Sequence, residues 1–173
     1  MRPAQMFLLR SVMVERVPLS KTGHQKLRDE LQRLERVERP EIVKAIETAR
    51  AHGDLKENAE YHAAKERQGM VEGRIRDLKD KLARAEVIDC AVIGTDRVVF
   101  GAVVRLLDLT NDEEITYQLL GPEESDVKRG SISVLSPLGR GMLGKEVGDE
   151  IKVKTPGGPR EFEVVNIQAS TFS

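Results

Sequence analysis

The chain has 173 residues, enough for one domain or two small ones. A third of the residues are charged and only 3% are aromatic, so any hydrophobic core must be lean. The single cysteine, Cys90, excludes an intramolecular disulfide and a cysteine-based zinc site, which favours a reducing compartment and predicts a cytoplasmic protein. No segment approaches the ~20 apolar residues of a membrane span, so no membrane partner is expected.

The N-terminus does not have the pattern of a targeting signal. The apolar run that begins near Met6 ends at Arg10 after about four residues, too few for a signal peptide. We therefore interpret residues 1–12 as a loose tail and Met13 as an alternative natural start.

The two halves of the chain differ in charge. Residues 13–85 contain 17 Lys and Arg against 14 Asp and Glu, whereas residues 86–173 contain 9 against 15. Such asymmetry suits a protein that places one end against nucleic acid or in a charged channel, although the excess is modest and plain solvated helix faces are the favoured explanation for any single Lys or Arg.

Residues 13–85 have the spacing of two helices that fold back on each other. Leu27, Leu31 and Leu34 recur every three or four residues, and Ile75, Leu78 and Leu82 repeat the pattern in mirror order. Position 27 would face 82, 31 would face 78, 34 would face 75, and Ile46 would face Ala63. The pattern predicts a monomeric antiparallel coiled-coil hairpin rather than a dimer.

The predicted hairpin turns at residues 52–58, with the sequence HGDLKEN. Gly53 can adopt the left-handed backbone that ends a helix. A first helix from Thr22 to Arg50, at about 1.5 Å per residue, would place this turn at the end of a finger about 40 Å long. Pro40 predicts a kink or short break near Arg39 and Pro40.

From residue 86 onward the apolar pattern alternates, which predicts an antiparallel sheet. The predicted strands cover residues 98–109, 114–120, 131–136, 149–155 and 160–168, and the sequence TPGGP at 155–159 is typical of a hairpin loop. A short helix should start with Ser136 as its cap and Pro137 in its first turn, and end at Gly144. The predicted fold class is therefore α+β, with a hairpin at 13–85 and a small β domain at 86–173.

Two acids at the predicted tip, Asp54 and Glu57, have two interpretations. Asp-x-x-Glu is a variant of the capping box, in which both carboxylates would satisfy free backbone N–H groups at the start of the second helix. Alternatively, two carboxylates on one face of an exposed helix end supply oxygen ligands suited to Mg²⁺. Mg²⁺ prefers six oxygens, so a partner would have to supply the rest of the site.

The neighbours of these acids also have two interpretations. Asn58 and Tyr61 could orient the acids or contact RNA, but Tyr61 could equally close the top of the helical seam. The basic residues Arg50 and Lys56 could contact an RNA backbone. The histidines that flank the tip, His52 and His62, have no cysteine nearby, so a zinc site there is the least favoured interpretation.

Three segments resemble the Gre family of bacterial transcript cleavage factors. They are ARAHGDLKENAEYHAAKERQGMVEGRI (49–75), ISVLSPLGRGMLGKEVGDEI (132–151) and VKTPGGPREFEVV (153–165). The resemblance extends over about residues 13–168, and DLKENAEYHAAKE favours the GreA type over the GreB type. It implies that the C-terminal domain is FKBP-like.

The resemblance also implies a function. The hairpin would enter the secondary channel of RNA polymerase, where Asp54 and Glu57 would help to hold a second Mg²⁺ shared with the polymerase and stimulate cleavage of the 3′ end of backtracked RNA. The chain would then be no enzyme itself and would bind no metal stably alone. The C-terminal domain would dock on the channel rim through LSPLGRGMLGK, which contains Ser136, Pro137, Leu138, Arg140 and Met142.

Alternative functions are left open by the sequence. The same scaffold could act as a secondary-channel inhibitor of RNA polymerase without stimulating cleavage. A prolyl isomerase is disfavoured because the C-terminal half has few aromatic residues to line a proline pocket. A structural coiled-coil dimer is disfavoured by the mirror order of the seam.

Overall fold

The computed structural model describes residues 15–171, in which a helical hairpin precedes a β domain. The helices are α1 (Lys21–Arg33), α2 (Arg39–Ala51), α3 (Ala59–Arg84) and α4 (Pro137–Met142). The strands are β1 (Val17–Ser20), β2 (Ala85–Ile88), β3 (Val103–Asp108), β4 (Glu113–Leu120), β5 (Ser131–Ser133), β6 (Glu150–Thr155) and β7 (Gly158–Gln168). The α+β class is confirmed. The predicted tail and Met13 lie outside the described residues.

The hairpin has its own hydrophobic core along the predicted seam. Residues spaced three or four apart form one apolar stripe on each helix, and the two stripes bury each other. The buried residues of this hairpin core are Leu19, Leu27, Leu34, Ile42, Ile46, Val71, Ile75 and Leu78. The predicted helical hairpin is therefore confirmed.

A π-helical turn at Leu34–Glu38 joins α1 to α2. The Arg39 N–H donates to the carbonyl of Leu34, five residues earlier, where an α-helix would use the residue four earlier. Pro40, which has no N–H to donate, follows immediately. The kink or break predicted near Arg39 and Pro40 takes the form of this wider turn, through which the helix continues.

The π turn also explains why one predicted pairing is wrong. Ala63, expected opposite Ile46, is exposed, whereas Ala64 packs against the hairpin core. A π turn inserts one extra residue into the first helix. The partner of each residue beyond the turn therefore moves by one position along α3.

The base of the hairpin is tied to the β domain. Strand β1 immediately precedes α1, strand β2 immediately follows α3, and the two strands pair in parallel. Ser20 caps α1 by accepting a hydrogen bond from the N–H of Gly23 at 3.0 Å, while its own N–H donates to Glu124 of the β domain at 3.1 Å. A salt bridge of 2.8 Å joins Lys81 to Glu123. These contacts attach the finger to the second domain at its base.

The β domain contains a five-stranded sheet in the order β5-β4-β3-β7-β6. Three of its neighbouring pairs are antiparallel, but β4 and β5 are parallel, so the sheet is mixed rather than antiparallel throughout. Residues 121–130 carry the chain back before β5 begins, which gives the short strand the same direction as β4. The predicted loop between β6 and β7 is confirmed as a two-residue turn between Thr155 and Gly158.

Helix α4 covers one part of the sheet. Ser136 caps it and Pro137 occupies its first turn, as predicted. A Cβ atom on Gly139 would lie 2.0 Å from the carbonyl oxygen of Ser133, so only glycine fits where α4 packs against the end of β5. The core of the domain consists of Val98, Ala102, Val104, Leu106, Leu119, Ile132, Met142, Ile151, Val153, Phe162, Val164 and Ile167. None of the helices within residues 15–171 is long and apolar enough to cross a membrane.

Candidate functional site

The turn of the hairpin is an exposed loop between α2 and α3. The N–H of His52 donates to the carbonyl of Ala49 at 3.2 Å, and the N–H of Gly53 donates to that of Arg50 at 3.3 Å. Gly53 has a φ of +107°, which L side chains rarely adopt. The prediction that this glycine ends the first helix is confirmed.

The second helix starts later than the capping-box interpretation required. Its N-cap is Asn58, whose side-chain oxygen accepts from the N–H of Tyr61 at 3.0 Å. The amide of Asn58 also donates to the carbonyl of Ala49 at 2.7 Å, so one side chain joins the two helix ends. Several non-helical residues are needed to reverse the chain, and the cap therefore falls at the end of the loop. Asp54 is not the helix cap.

The two acids lie in the loop rather than on a helix face. One carboxylate oxygen of Asp54 accepts from the N–H of Lys56 at 2.9 Å, which closes a local turn. Within residues 15–171, Glu57 makes no side-chain hydrogen bond or salt bridge, and both acids are exposed. The second oxygen of Asp54 and both oxygens of Glu57 are therefore open to solvent.

The residues around the acids have mainly structural contacts. Tyr61 is half-buried and packs against the hairpin core, which supports its interpretation as the top of the seam. The guanidinium carbon of Arg50 lies 5.9 Å from the centre of the Tyr61 ring, a cation–π distance. Lys56 is exposed in the loop, and its carbonyl lies 3.0 Å from Nε2 of His62. RNA contact by Arg50, Lys56, Asn58 or Tyr61 stays a prediction.

The donor set at the tip fits part of a Mg²⁺ site. Carboxylate oxygens are the ligands that this ion prefers, but two side chains supply only a fraction of its six positions. Among the residues that the structure describes, no three His, Cys, Asp or Glu side chains come together in a group that could hold a metal. The tip could therefore complete a metal site whose other ligands belong to a second molecule.

The predicted docking residues differ in accessibility. Pro137 and Arg140 are exposed, and Leu138 is half-buried against the sheet. The Ser136 hydroxyl accepts from the N–H of Gly139 and donates to the carbonyl of Ser133 at 2.7 Å, so it holds the start of α4. Met142 has no accessible surface, because it belongs to the core of the β domain. A partner could not reach Met142 without repacking that core.

Two exposed leucines lie within the predicted docking segment LSPLGRGMLGK, although sequence reasoning did not single them out. Leu135 is 56% exposed and Leu143 is 43% exposed, and they flank the helix on either side. Alternation within the predicted strand at 131–136 would place Leu135 on the face opposite Ile132 and Val134, so its exposure was open to prediction. With Pro137 and Arg140, they are accessible residues of the predicted docking segment.

Comparison with known proteins relates both parts of the chain to transcription factors. A family model described as transcription elongation factor, N-terminal, matches residues 17–87, and one described as transcription elongation factor, GreA/GreB, C-term, matches residues 93–169. Transcription elongation factor GreA of Desulfotalea psychrophila is 70% identical over 161 residues, which cover 93% of this chain and 100% of the relative. Transcription elongation factor GreA of Syntrophotalea carbinolica is 53% identical over 155 residues, which cover 90% of this chain and 98% of the relative. Among solved structures, GreA factor homolog 1 (Gfh1) of Thermus thermophilus has 32% sequence identity to this chain. The match covers 90% of this chain and 100% of the Gfh1 chain, with a TM-score of 0.42.

Proposed function

Since the chain belongs to the GreA/GreB family of transcription elongation factors, we propose that it binds bacterial RNA polymerase and inserts its hairpin into the secondary channel. There it stimulates the polymerase's own Mg²⁺-dependent cleavage of the 3′ end of backtracked RNA and so rescues arrested complexes. The chain is not an enzyme in this proposal. It supplies ligands to an active site that the polymerase already has.

The observation that carries this proposal is the pair of open carboxylates at the end of the finger. Asp54 and Glu57 are exposed in a loop whose ends are joined by Asn58. The loop offers no enclosed cavity for a substrate of its own, because residues 52–57 are all exposed. Its carboxylates are therefore suited to complete a site on another molecule.

Asp54 and Glu57 would hold the Mg²⁺ that is shared with the polymerase. Bound there, the ion would supply stabilisation of the charge that develops on the attacking or leaving oxygen of the RNA phosphate. The residues of this chain have different roles in that reaction. The carboxylates add negative charge and oxygen ligands, while Asn58 and the turn at Lys56 keep the loop in one conformation.

The two domains divide reach and attachment between them. Helix α3 has 26 residues, so at about 1.5 Å each it is about 39 Å long, which suits entry into a deep channel. The exposed residues Leu135, Pro137, Arg140 and Leu143 form the proposed docking surface for the channel rim. Docking raises the effective concentration of the tip near the active site.

The test uses a stalled elongation complex that carries labelled RNA. The parent protein with Mg²⁺ should shorten the RNA, whereas Asp54→Asn and Glu57→Gln should lose most of this stimulation. The amide oxygen introduced by Asp54→Asn can still accept the Lys56 N–H, and Glu57 has no partner within residues 15–171 to lose. Both variants should therefore melt at the parent temperature and still bind polymerase.

Glu60→Gln is the matched control, because Glu60 is an exposed acid in the first turn of α3. It should cleave like the parent. Normal cleavage by both tip variants would overturn the metal-ligand role of the acids. A parent protein that slows RNA synthesis without shortening the transcript would instead support the alternative function, a secondary-channel inhibitor.

A further inference from the structure

His62 makes a contact that neither helix capping nor the seam explains. It lies in the first turns of α3, and its Nε2 is 3.0 Å from the carbonyl oxygen of Lys56 in the tip loop. A carbonyl oxygen can only accept, so the imidazole must carry a proton on Nε2 and donate it. This side chain thus forms a hydrogen bond from the rigid helix to the loop.

The bond fixes the peptide unit that leads into Glu57. The carbonyl of Lys56 and the N–H of Glu57 belong to the same planar group, so holding one restricts the other. On the preceding side, the N–H of Lys56 is bound by the carboxylate of Asp54 at 2.9 Å. Both peptide units around Lys56 are therefore held, one by Asp54 and one by His62.

Glu57 lies between two anchors that both belong to the start of α3. Asn58 follows it and is fixed by hydrogen bonds to both helix ends, whereas the Lys56 carbonyl before it is fixed by His62. The carboxylate of Glu57 is otherwise free within residues 15–171. Its average direction thus depends on these two backbone anchors.

The imidazole is itself held in place. The backbone N–H of His62 donates to the carbonyl of Asn58 at 3.1 Å as part of the helix. The Tyr61 ring meets the imidazole edge to face, with ring centres 5.6 Å apart and an angle of 66°. Since Tyr61 packs against the hairpin core, this contact connects the imidazole to the rigid seam.

We propose that His62 is a positioning residue for the acidic tip: by donating from Nε2 to the Lys56 carbonyl, it orients Glu57 for metal binding in the polymerase complex. This inference rests on the proposed function, because orientation matters only if Glu57 is a ligand there. His62 does not touch the metal or the RNA in this proposal. Its effect on cleavage passes through the backbone of the loop.

The test compares His62→Ala and His62→Gln with His52→Ala. Gln can donate an amide N–H toward the same carbonyl, whereas Ala cannot. His52 is the other histidine of the tip and is exposed, and its side chain makes no hydrogen bond or salt bridge within residues 15–171, so its removal is the matched control. Each variant should keep the parent melting temperature and polymerase affinity.

The first readout is independent of activity. Nitrogen-15 spectra of the free parent should show His62 protonated on Nε2. Exchange of the Lys56 amide, which is bound to the Asp54 carboxylate, should be faster in His62→Ala than in the parent or His52→Ala. The second readout is cleavage at saturating factor. His62→Ala should lower the maximal rate and need more Mg²⁺ for half of that rate, and His62→Gln should recover much of both losses.

The two readouts separate failure of this inference from failure of the proposed function. If the parent does not shorten RNA at all, the proposed function fails, while amide exchange still tests the anchor. If the parent cleaves and His62→Ala matches it in exchange and in Mg²⁺ dependence, the positioning role is overturned. It is also overturned if His62→Gln behaves no better than His62→Ala.

Discussion

Asn58 gives the most direct test of how the tip is closed, because its two hydrogen bonds can be removed separately. Asn58→Asp keeps an oxygen that accepts the Tyr61 N–H, and Asp caps helices about as well as Asn. It loses the donor to the Ala49 carbonyl and places a second oxygen 2.7 Å from that carbonyl. Asn58→Ala loses both interactions.

The expected costs follow from these contacts. The bond to Ala49 should contribute about 1 kcal/mol, since a typical protein hydrogen bond contributes about that much net. A larger penalty for an unpaired carbonyl is not expected, because the Ala49 oxygen also accepts from the N–H of His52. Loss of the cap adds about 1 kcal/mol. In Asn58→Asp, the favourable effect of a negative charge at the start of α3 should offset the repulsion from the Ala49 carbonyl. Asn58→Asp should thus cost about 1 kcal/mol of tip stability and Asn58→Ala about 2.

Amide exchange at Tyr61 and His62 measures the opening of the tip. About 1 kcal/mol corresponds to about a fivefold and about 2 kcal/mol to about a thirtyfold increase in the open population. The exchange rates should therefore rise in the order parent, Asn58→Asp, Asn58→Ala. An Asp variant that exchanges like the parent would refute the idea that the bond between Asn58 and Ala49 closes the loop.

Two further predictions concern the two cores. Leu78→Ala should lower the free energy of unfolding by about 3 kcal/mol, and Leu31→Ala by about half of that, because Leu78 has no exposed surface and Leu31 is only partly buried. Urea unfolding measures both values, and equal losses would contradict this description of the seam. In the β domain, the Thr110 N–H and then the Arg160 guanidinium hold the pKa of Asp108 below its usual value. These two interactions stabilise the folded state at pH values above about 3.9, the pKa of Asp in the unfolded chain. Their contribution is lost as the pH falls through the lower pKa that Asp108 has in the folded state. Asp108→Asn should therefore lower stability at pH 7 but flatten its decline below about pH 4, and an unchanged acid decline would contradict the assignment.

The seam of the hairpin was predictable because it depends on a repeated local pattern. Leu27, Leu34, Ile75 and Leu78 are buried as their spacing required. The π turn was not predictable from that pattern, since one extra residue changes neither composition nor apolar content. Pro40 indicated that the helix was irregular there, but the shift of the pairing from Ala63 to Ala64 depends on how both helices pack.

The contacts between the domains were also beyond the sequence pattern. Strands β1 and β2 have four residues each, too few for alternation to be recognised. They pair at the base of the hairpin although all of its helices separate them in the sequence. Met142 illustrates the same limit within the β domain. Its motif indicated a surface role, but burial depends on which side of a six-residue helix meets the sheet.

The tip shows why a sequence pattern can place two acids at the turn of the hairpin and still give their local structure wrongly. Asp54 and Glu57 have the spacing of a capping box, and spacing alone cannot tell which residue the helix uses as its cap. Asn58 was available as a competing cap, with the same acceptor and an additional donor. Its bond to the Ala49 carbonyl depends on the end of α2 lying close to the start of α3.

The position of the cap bears directly on the proposed chemistry. If Asp54 and Glu57 capped α3, their oxygens would be occupied by backbone N–H groups, and a metal would have to displace those bonds. Because Asn58 caps the helix and Gly53 ends the preceding one, the acids keep three of their four oxygens open while the loop stays anchored. A neutral side chain thus has the structural role, and the charged side chains are left open to solvent. In the proposed function, this separation leaves the two surface carboxylates available as metal ligands in the active site of the polymerase.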